Sequence, residues 1–252
     1  MLIPRIIPCL LLKDDHLVKT SQFKSPKYVG DPLNAVRIFN EKEVDELIIL
    51  DISASIQKRE PNYELIGEIA SECFMPLCYG GGITNIEQAK KIFSLGVEKI
   101  CLQTAALENL EFVRELADSF GSQSIVVSID VSKNWLGHKK LYAAVFQKNL
   151  QKDWKTFYKQ AVDAGAGEIF LNATYCDGMM QGMDFELIFE ASKLTNVPLI
   201  ASGGAGTLND LKLAIQAGAN AVGVGAMFVF QGTHRAVLIS YPNREQLENF
   251  LG

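Results

Sequence analysis

The chain contains 252 residues, of which 48% are hydrophobic, and it carries a net charge of −5. This acidic balance argues against nucleic acid as the main partner, and no apolar run is long enough to cross a membrane. The N-terminus has no charged segment followed by a long apolar core, so we expect that it is not a secretory signal. The five cysteines form no CxxC pair and the three histidines are scattered. We therefore expect reduced thiols in a cytoplasmic protein that uses no metal and no cofactor.

The length suits either two ordinary domains or one large α/β barrel. No stretch is rich enough in Pro, Gly or Ser to form a flexible linker, which favours a single domain over residues 1–252. Short apolar runs without polar alternation are typical of parallel strands buried on both faces. Eight such runs occur, at residues 5–12, 46–51, 76–79, 99–103, 124–130, 168–172, 198–201 and 219–224. Helical patterns lie between them, at residues 31–43, 63–73, 85–95, 154–164 and 209–217.

The chain repeats part of its own sequence. The run PLCYGGGIT, which starts at Pro76, recurs 122 residues later as PLIASGGAG from Pro198. The similarity continues through the helix and the strand that follow each run. A repeat of about half the chain is too long for a solenoid unit. It predicts a (β/α)₈ barrel, the TIM-barrel fold, made of two similar half-barrels, and an open doubly wound sheet is the alternative.

Two of the strand-to-helix connections are long. Residues 13–30 follow the first predicted strand, residues 131–152 follow the fifth, and both are rich in lysine. We expect two long loops on the C-terminal face of the barrel, where active sites of this fold lie. Solvated, mobile loops without a function are the alternative.

The two halves each contain a Gly-rich turn between a strand and a helix. Backbone N–H groups in such a turn can approach an anion closely, and the following helix N-terminus favours negative charge. Residues at the end of the next strand can share the same phosphate. The sequence therefore predicts two phosphate sites, and the alternative is that the glycines only permit tight turns. The residues concerned are Gly81, Gly82, Gln103 and Thr104 in the first half, and Gly203, Gly204, Gly225 and Ala226 in the second.

Acidic residues follow several predicted strands. Asp130 ends the fifth strand, so its side chain can act as a general acid or base at the barrel mouth. Asp51 ends the second strand in the same way and can support the site electrostatically. Asp177 and Gly178, after the sixth strand, can contact a phosphate or a sugar hydroxyl, although turn formation explains an Asp-Gly pair equally well.

A second charged set lies at the opposite ends of the strands. Arg5, Glu46, Lys99 and Glu168 each stand at the start of an apolar run, which predicts a ring of ion pairs at the lower opening of the barrel. From these residues alone, a ring that only stabilises the barrel bottom is the preferred interpretation.

Several motifs between residues 1 and 230 belong together: Arg5-Ile-Ile-Pro-Cys-Leu, Gly80-Gly-Gly-Ile, Thr104-Ala-Ala, Phe120-Gly-Ser-Gln, Gly165-Ala-Gly-Glu168 and Ala201-Ser-Gly-Gly-Ala-Gly206. Together they resemble the cyclase subunit of imidazole glycerol phosphate synthase, the HisF family. The resemblance implies a HisH-like glutaminase that docks on the barrel bottom and delivers ammonia along the barrel axis to a phosphorylated small-molecule substrate. It makes the charged ring an ammonia gate, Asp130 a catalytic acid or base, and Lys19 a catalytic residue of a mobile loop that closes over the substrate.

The chain departs from the family pattern at its site. Leu11 occupies the position of the family's other catalytic Asp, Ala226 replaces a Ser, and the loop at residues 175–179 differs. These departures resemble the WbuZ-type paralogue of surface-polysaccharide biosynthesis, which implies acetamidino-sugar formation with a sugar amidotransferase as a further partner. A true cyclase of histidine biosynthesis, a non-catalytic scaffold that conducts ammonia, and a phosphosugar isomerase are the alternatives.

Overall fold

The computed structural model describes residues 4–251, and its centre is a closed barrel of parallel strands. The eight strands of the barrel are β1 (Arg5–Lys13), β2 (Leu47–Asp51), β3 (Leu77–Gly80), β4 (Lys99–Leu102), β5 (Ile125–Lys133), β6 (Glu168–Ala173), β7 (Leu199–Ser202) and β8 (Ala221–Val224). Each strand pairs with the next in chain order, and β8 pairs with β1 in parallel. The closing pair leaves no edge strand, so the predicted (β/α)₈ barrel is confirmed and the open sheet is excluded.

Helices surround the barrel and connect its strands. They are α1 (Pro32–Glu41), α2 (Ala54–Gln57), α3 (Tyr63–Glu72), α4 (Ile86–Ser94), α5 (Thr104–Glu108), α6 (Leu110–Phe120), α7 (Trp154–Asp163), α8 (Phe185–Ser192), α9 (Leu208–Gln216), α10 (Ala226–Val229) and α11 (Arg244–Leu251). Polar caps begin most of the long helices. Asp31 accepts a hydrogen bond from the backbone N–H of Asn34, and Thr207 forms a capping box with Asp210. Such caps fix where each helix starts relative to the preceding strand.

The strands bury both of their faces. One set of side chains packs against the surrounding helices, and the alternate set meets along the barrel axis. The axial set consists of Ile7, Cys9, Ile48, Cys78, Cys101, Val126, Phe170, Ile200 and Ala221. This double burial explains why the strands appear in the sequence as continuous apolar runs.

The two long connections lie on the C-terminal face of the barrel as expected, but they are hairpins and not irregular loops. After β1 the chain forms an antiparallel hairpin from His16–Ser21 and Lys24–Gly30, called here the first hairpin. After β5 it forms a second hairpin from Lys139–Ala143 and Lys148–Asn149. Both β1 and β5 continue beyond the barrel to pair with these strands. The backbone pairing gives the hairpins a defined position over the mouth of the barrel.

The chain ends in a short antiparallel ribbon and a helix. Phe230–Gln231 pairs with Ala236–Val237, and α11 then packs against α9. Among the described residues, no helix has the length and apolar character needed to cross a membrane.

Candidate active site

A cavity of about 220 Å³ lies at the C-terminal ends of the barrel strands. Its floor contains Cys9, Leu50 and Cys101 from the barrel interior, and the two hairpins form part of its walls. The rings of Phe23, in the first hairpin, and Tyr142, in the second, meet edge to face with centroids 6.0 Å apart. The hairpins therefore contact each other across the mouth of the cavity.

Asp130 lies in this cavity at the end of the parallel part of β5. Its side chain accepts a hydrogen bond from Nε2 of Gln103, and the residue is only 4% exposed. The pKa of Asp130 is raised to about 7, chiefly by burial and to a smaller extent by the negative charge of Asp177, while the hydrogen bonds from Gln103 and Asn172 act in the opposite direction. A carboxyl group with a pKa near neutrality can both accept and donate a proton under physiological conditions.

Lys19 reaches the cavity from a strand of the first hairpin. Its Nζ atom lies 2.8 Å from Oδ1 and 3.1 Å from Oδ2 of Asp177, and both residues are buried. The backbone supports this ion pair, because the N–H of Gln22 donates to the carbonyl of Asp177 at 2.8 Å. Gly178 (φ +72°) packs so closely that a Cβ atom there would lie 2.1 Å from the carbonyl oxygen of Thr20. The ion pair between Lys19 and Asp177 thus holds the first hairpin against the connection that follows β6.

The first Gly-rich turn opens onto the cavity. Gly81 and Gly82, with φ values of +121° and +74°, line it together with Gln103 and Thr104. A Cβ atom on Gly81 would lie 2.4 Å from the carbonyl oxygen of Asp51, so only glycine fits at this position. The resulting backbone surface and the Thr104 side chain are available to an anionic group of a substrate.

The second Gly-rich turn is placed differently. Gly203 and Gly204 lie outside the cavity wall, as do Gly178 and Ala226, whereas Gly225 contributes to the wall. A Cβ atom on Gly204 would lie 2.1 Å from the carbonyl oxygen of Gly182, and Lys19 Nζ lies 3.3 Å from the corresponding position on Gly225. The connection after β6 and the Lys19 side chain therefore cover the turn. The two predicted phosphate sites are not equivalent in this structure.

The first half of the barrel offers no carboxylate comparable to Asp130. Leu11 lines the cavity. The Oδ1 atom of Asp51 accepts hydrogen bonds from Ser53 and from the backbone of Ala54, and its Oδ2 atom lies 2.6 Å from Arg59. Through these contacts, the Asp51 side chain holds the connection that follows β2 in place. Within residues 4–251, no group of three or more His, Cys, Asp or Glu side chains could hold a metal ion.

Asn172 is a cavity residue that sequence reasoning missed. It is 7% exposed, and its Oδ1 atom has no hydrogen-bond partner within the described part of the chain. Asn172 pairs with Asp130 in the register of β6 and β5, and at the matching place in the first half Leu50 pairs with Leu11. An amide inside an otherwise apolar strand was the available signal, since such a group is buried only where a polar partner is expected.

The four charged residues at the other end of the barrel form a closed ring. Arg5 contacts both Glu46 and Glu168, with 2.5 Å to the former. Lys99 Nζ lies 2.9 Å from Glu46 and 3.0 Å from Glu168. Burial lowers the pKa of Lys99, but the charge of Glu168 and the contacts with Glu46 outweigh this effect and raise it. Alternating charges thus close the lower opening of the barrel.

Comparison with known proteins gives matches along nearly the whole chain. Residues 5–235 match a family described as histidine biosynthesis protein. The chain is 56% identical to a protein of Pseudomonas aeruginosa provisionally named imidazole glycerol phosphate synthase subunit hisF2, over 97% of this chain and 98% of that protein. It is 49% identical to a provisionally named HisF subunit of Leptospira interrogans, over 98% of each. It is 40% identical to imidazole glycerol phosphate synthase subunit HisF of Dictyoglomus thermophilum, over 93% of this chain and 92% of that protein.

Proposed function

Because the chain belongs to the HisF group of the histidine biosynthesis protein family, we propose that it is the ammonia-using subunit of a glutamine amidotransferase complex. A HisH-like glutaminase docks at the lower opening of the barrel and releases ammonia there. The ammonia passes the ring of Arg5, Glu46, Lys99 and Glu168, follows the barrel axis, and reacts in the cavity beside Asp130.

The observation that carries this proposal is the arrangement along the barrel axis. The charged ring lies at one end, the cavity with Asp130 lies at the other, and the axial side chains between them are apolar or thiols. Transfer of an ion into an apolar interior is costly. Such a path favours neutral ammonia over the ammonium ion.

In the cavity, different groups bind the phosphate, transfer the proton and exclude water. The first Gly-rich turn and Thr104 bind a phosphate of the substrate. Ammonia adds to a carbonyl carbon of the substrate: the C–N bond forms while the C=O π bond breaks, and the oxygen takes up the electron pair. Asp130 accepts the proton that the attacking nitrogen loses and returns it to this oxygen, which leaves as water as the C=N bond forms. Lys19 and the first hairpin exclude water during this step. A group with a pKa near 7 suits the proton transfer at neutral pH.

The substrate that we propose is a sugar whose ammonia-derived group becomes an acetamidino substituent, in surface-polysaccharide biosynthesis. Leu11 supports this proposal, because the histidine cyclase reaction relies on a second carboxylate at this position in the family. A sugar amidotransferase is then the further partner. Cyclisation in histidine biosynthesis is the second candidate, supported by the 40% identity to a HisF subunit.

The experiment is complementation of a bacterial strain that lacks the histidine cyclase. We expect no growth without histidine from the unaltered chain, because loss of one acid or base lowers a rate by about 10²–10⁴-fold. A Leu11→Asp variant serves as the matched test of the missing carboxylate. Robust growth with the unaltered chain contradicts the sugar proposal and favours the histidine cyclase.

A further inference from the structure

Phe74 is an exposed aromatic residue on the same face of the barrel as the charged ring. It lies between α3 and β3, in a connection that enters the N-terminal end of a strand. Its exposed fraction is 86%. Solvent exposure of a whole phenyl ring is unfavourable, and rigid aromatic side chains are enriched among the residues that dominate protein interfaces.

The backbone on both sides of Phe74 is held in place. The Asn40 side chain accepts a hydrogen bond from the Phe74 N–H at 3.1 Å and donates one to the carbonyl oxygen of Glu72 at 2.5 Å. The next residue, Met75, is buried in the core, and Pro76 then leads into β3. Because the connection is fixed before any partner binds, little ordering entropy is lost on binding.

The topology places Phe74 beside the charged ring. Strand β3 lies between β2 and β4 in the barrel. Glu46 directly precedes β2, and Lys99 begins β4. Phe74 therefore lies on the rim of the lower opening, at the strand between those that carry two of the four ring residues.

The surface next to Phe74 is acidic. Asn40, which holds the connection, is followed by Glu41, Lys42, Glu43 and, after Val44, by Asp45, all four of these charged residues being exposed. Three acids against one lysine give this segment a net negative charge. A complementary partner would place an apolar pocket over the phenyl ring and basic side chains around the pocket.

We propose that Phe74 is the anchor by which the glutaminase docks around the lower opening of the barrel. This inference rests on the proposed function, which supplies the partner. Insertion of Phe74 into an apolar pocket of the glutaminase aligns the exit of that subunit with the ring of Arg5, Glu46, Lys99 and Glu168.

The test measures the Kd between this protein and the HisH-like glutaminase of the same organism by isothermal titration calorimetry. We expect Phe74→Ala to weaken binding by about 30-fold or more, as for a central aromatic anchor. Trp135→Ala is the matched control, because Trp135 is 90% exposed but lies in the turn between β5 and Lys139–Ala143, on the opposite face. Circular dichroism establishes that both variants are folded.

The outcomes separate the two proposals. Tight binding by the unaltered chain that is unchanged in Phe74→Ala overturns the anchor and leaves the proposed function intact. If Phe74→Ala and Trp135→Ala weaken binding of the glutaminase equally, the anchor is overturned as well, because loss of exposed apolar area in general would then explain the lower affinity. Absence of any binding by the unaltered chain contradicts the proposed complex, and the anchor with it.

Discussion

At the scale of single residues, burial of the Asp130 carboxyl group lowers the stability of the protein at neutral and higher pH. Burial sets its pKa at about 7, whereas an aspartate in an unfolded chain titrates near about 3.9. The folded protein therefore retains a proton that the unfolded chain releases. The contribution of this group to stability is complete below pH ~3.9, decreases as the pH rises, and is lost above pH ~7.

We therefore expect Asp130→Asn to stabilise the protein at pH 8. Asparagine has no charge to bury and can still accept the hydrogen bond from Gln103. The free energy of unfolding, measured by urea titration, should increase by up to about 4 kcal/mol at pH 8, since one pKa unit corresponds to about 1.4 kcal/mol. This increase in the free energy of unfolding should become smaller as the pH is lowered towards 4. A gain of the same size at both pH values would contradict this explanation.

The same residue determines the pH dependence that we expect for the reaction. With glutamine as the ammonia source, product formation by the complex should rise through pH ~7 and then level off, because Asp130 must be ionised to accept a proton. Asp130→Asn should lower the rate by about 10²–10⁴-fold. Glutamate release is the control, and a parallel loss of glutamate release would place the role of Asp130 outside the chemistry of the cavity.

The sequence identified Asp130 and Gln103 as candidate site residues, but it did not show the hydrogen bond between them, and Asn172 was missed. A carboxylate at the end of a strand is recognisable, because parallel strands place such residues at the barrel mouth. The roles of Asn172 and Gln103 depend on side-chain contacts across neighbouring strands, which the sequence of one strand does not contain. Only the register of the sheet shows that Asp130 pairs with Asn172 in the second half, and that Leu11 pairs with Leu50 at the matching place in the first half.

At the scale of elements, the first hairpin and the connection after β6 form one closed unit. The ion pair of Lys19 with Asp177 joins them, and the absence of a side chain on Gly178 permits the contact. Both partners of the ion pair are buried. Removal of one would leave an uncompensated charge, which typically costs about 3–5 kcal/mol.

We expect Gly178→Ala to separate these two elements. A methyl group would lie 2.1 Å from the carbonyl oxygen of Thr20, so the first hairpin must move away. Gly232→Ala is a matched control, because Gly232 has a φ of +71°, close to the +72° of Gly178, but no atom lies within 4 Å of the position that its methyl group would occupy. Both substitutions carry a similar backbone strain of about 1 kcal/mol or more.

Limited proteolysis and urea titration measure the difference between these two variants. Gly178→Ala should be cleaved within residues 16–30 much faster than either Gly232→Ala or the unaltered chain. It should also lose about 1–3 kcal/mol more of the free energy of unfolding than the control. Equal cleavage of the two variants would show that the close contact does not hold the hairpin.

The strands of the barrel were predictable to within a few residues, and the hairpins were not. Burial on both faces leaves continuous apolar runs, which the sequence shows directly. In the first hairpin, by contrast, most of Lys24–Gly30 is exposed, and the turn at Gln22 and Phe23 has φ values of +51° and +63°. Neither residue type favours that conformation, so the sequence contains no usual turn signal there.

At the scale of the whole molecule, the two half-barrels are alike in backbone and unlike in chemistry. The internal repeat correctly indicated the shared architecture. At matching strand positions that line the cavity, the second half has the polar residues Ser128, Asp130 and Asn172, whereas the first half has Cys9, Leu11 and Leu50. A repeat of the backbone pattern therefore does not imply two equal sites, because the side chains at matching strand positions have diverged.

The charges of the ring of Arg5, Glu46, Lys99 and Glu168 should affect how ammonia passes from the glutaminase into the barrel. Lys99→Met keeps most of the side-chain volume but leaves both glutamates with Arg5 as their remaining partner in the ring. We expect a loss of about 3 kcal/mol in the free energy of unfolding in a barrel that still folds. In the reconstituted complex, glutamate release should continue while product formation from glutamine falls.

Two controls distinguish a gate from a stabilising plug. Lys99→Arg keeps the charge, so it should restore much of both the stability and the coupling of glutamate release to product formation. Ammonium chloride supplied from solution reaches the cavity without the glutaminase, and with it Lys99→Met should form product at nearly the rate of the unaltered chain. If Lys99→Met loses stability but keeps one product per glutamate, the ring only stabilises the barrel bottom, and ammonia passes it without help from its charges.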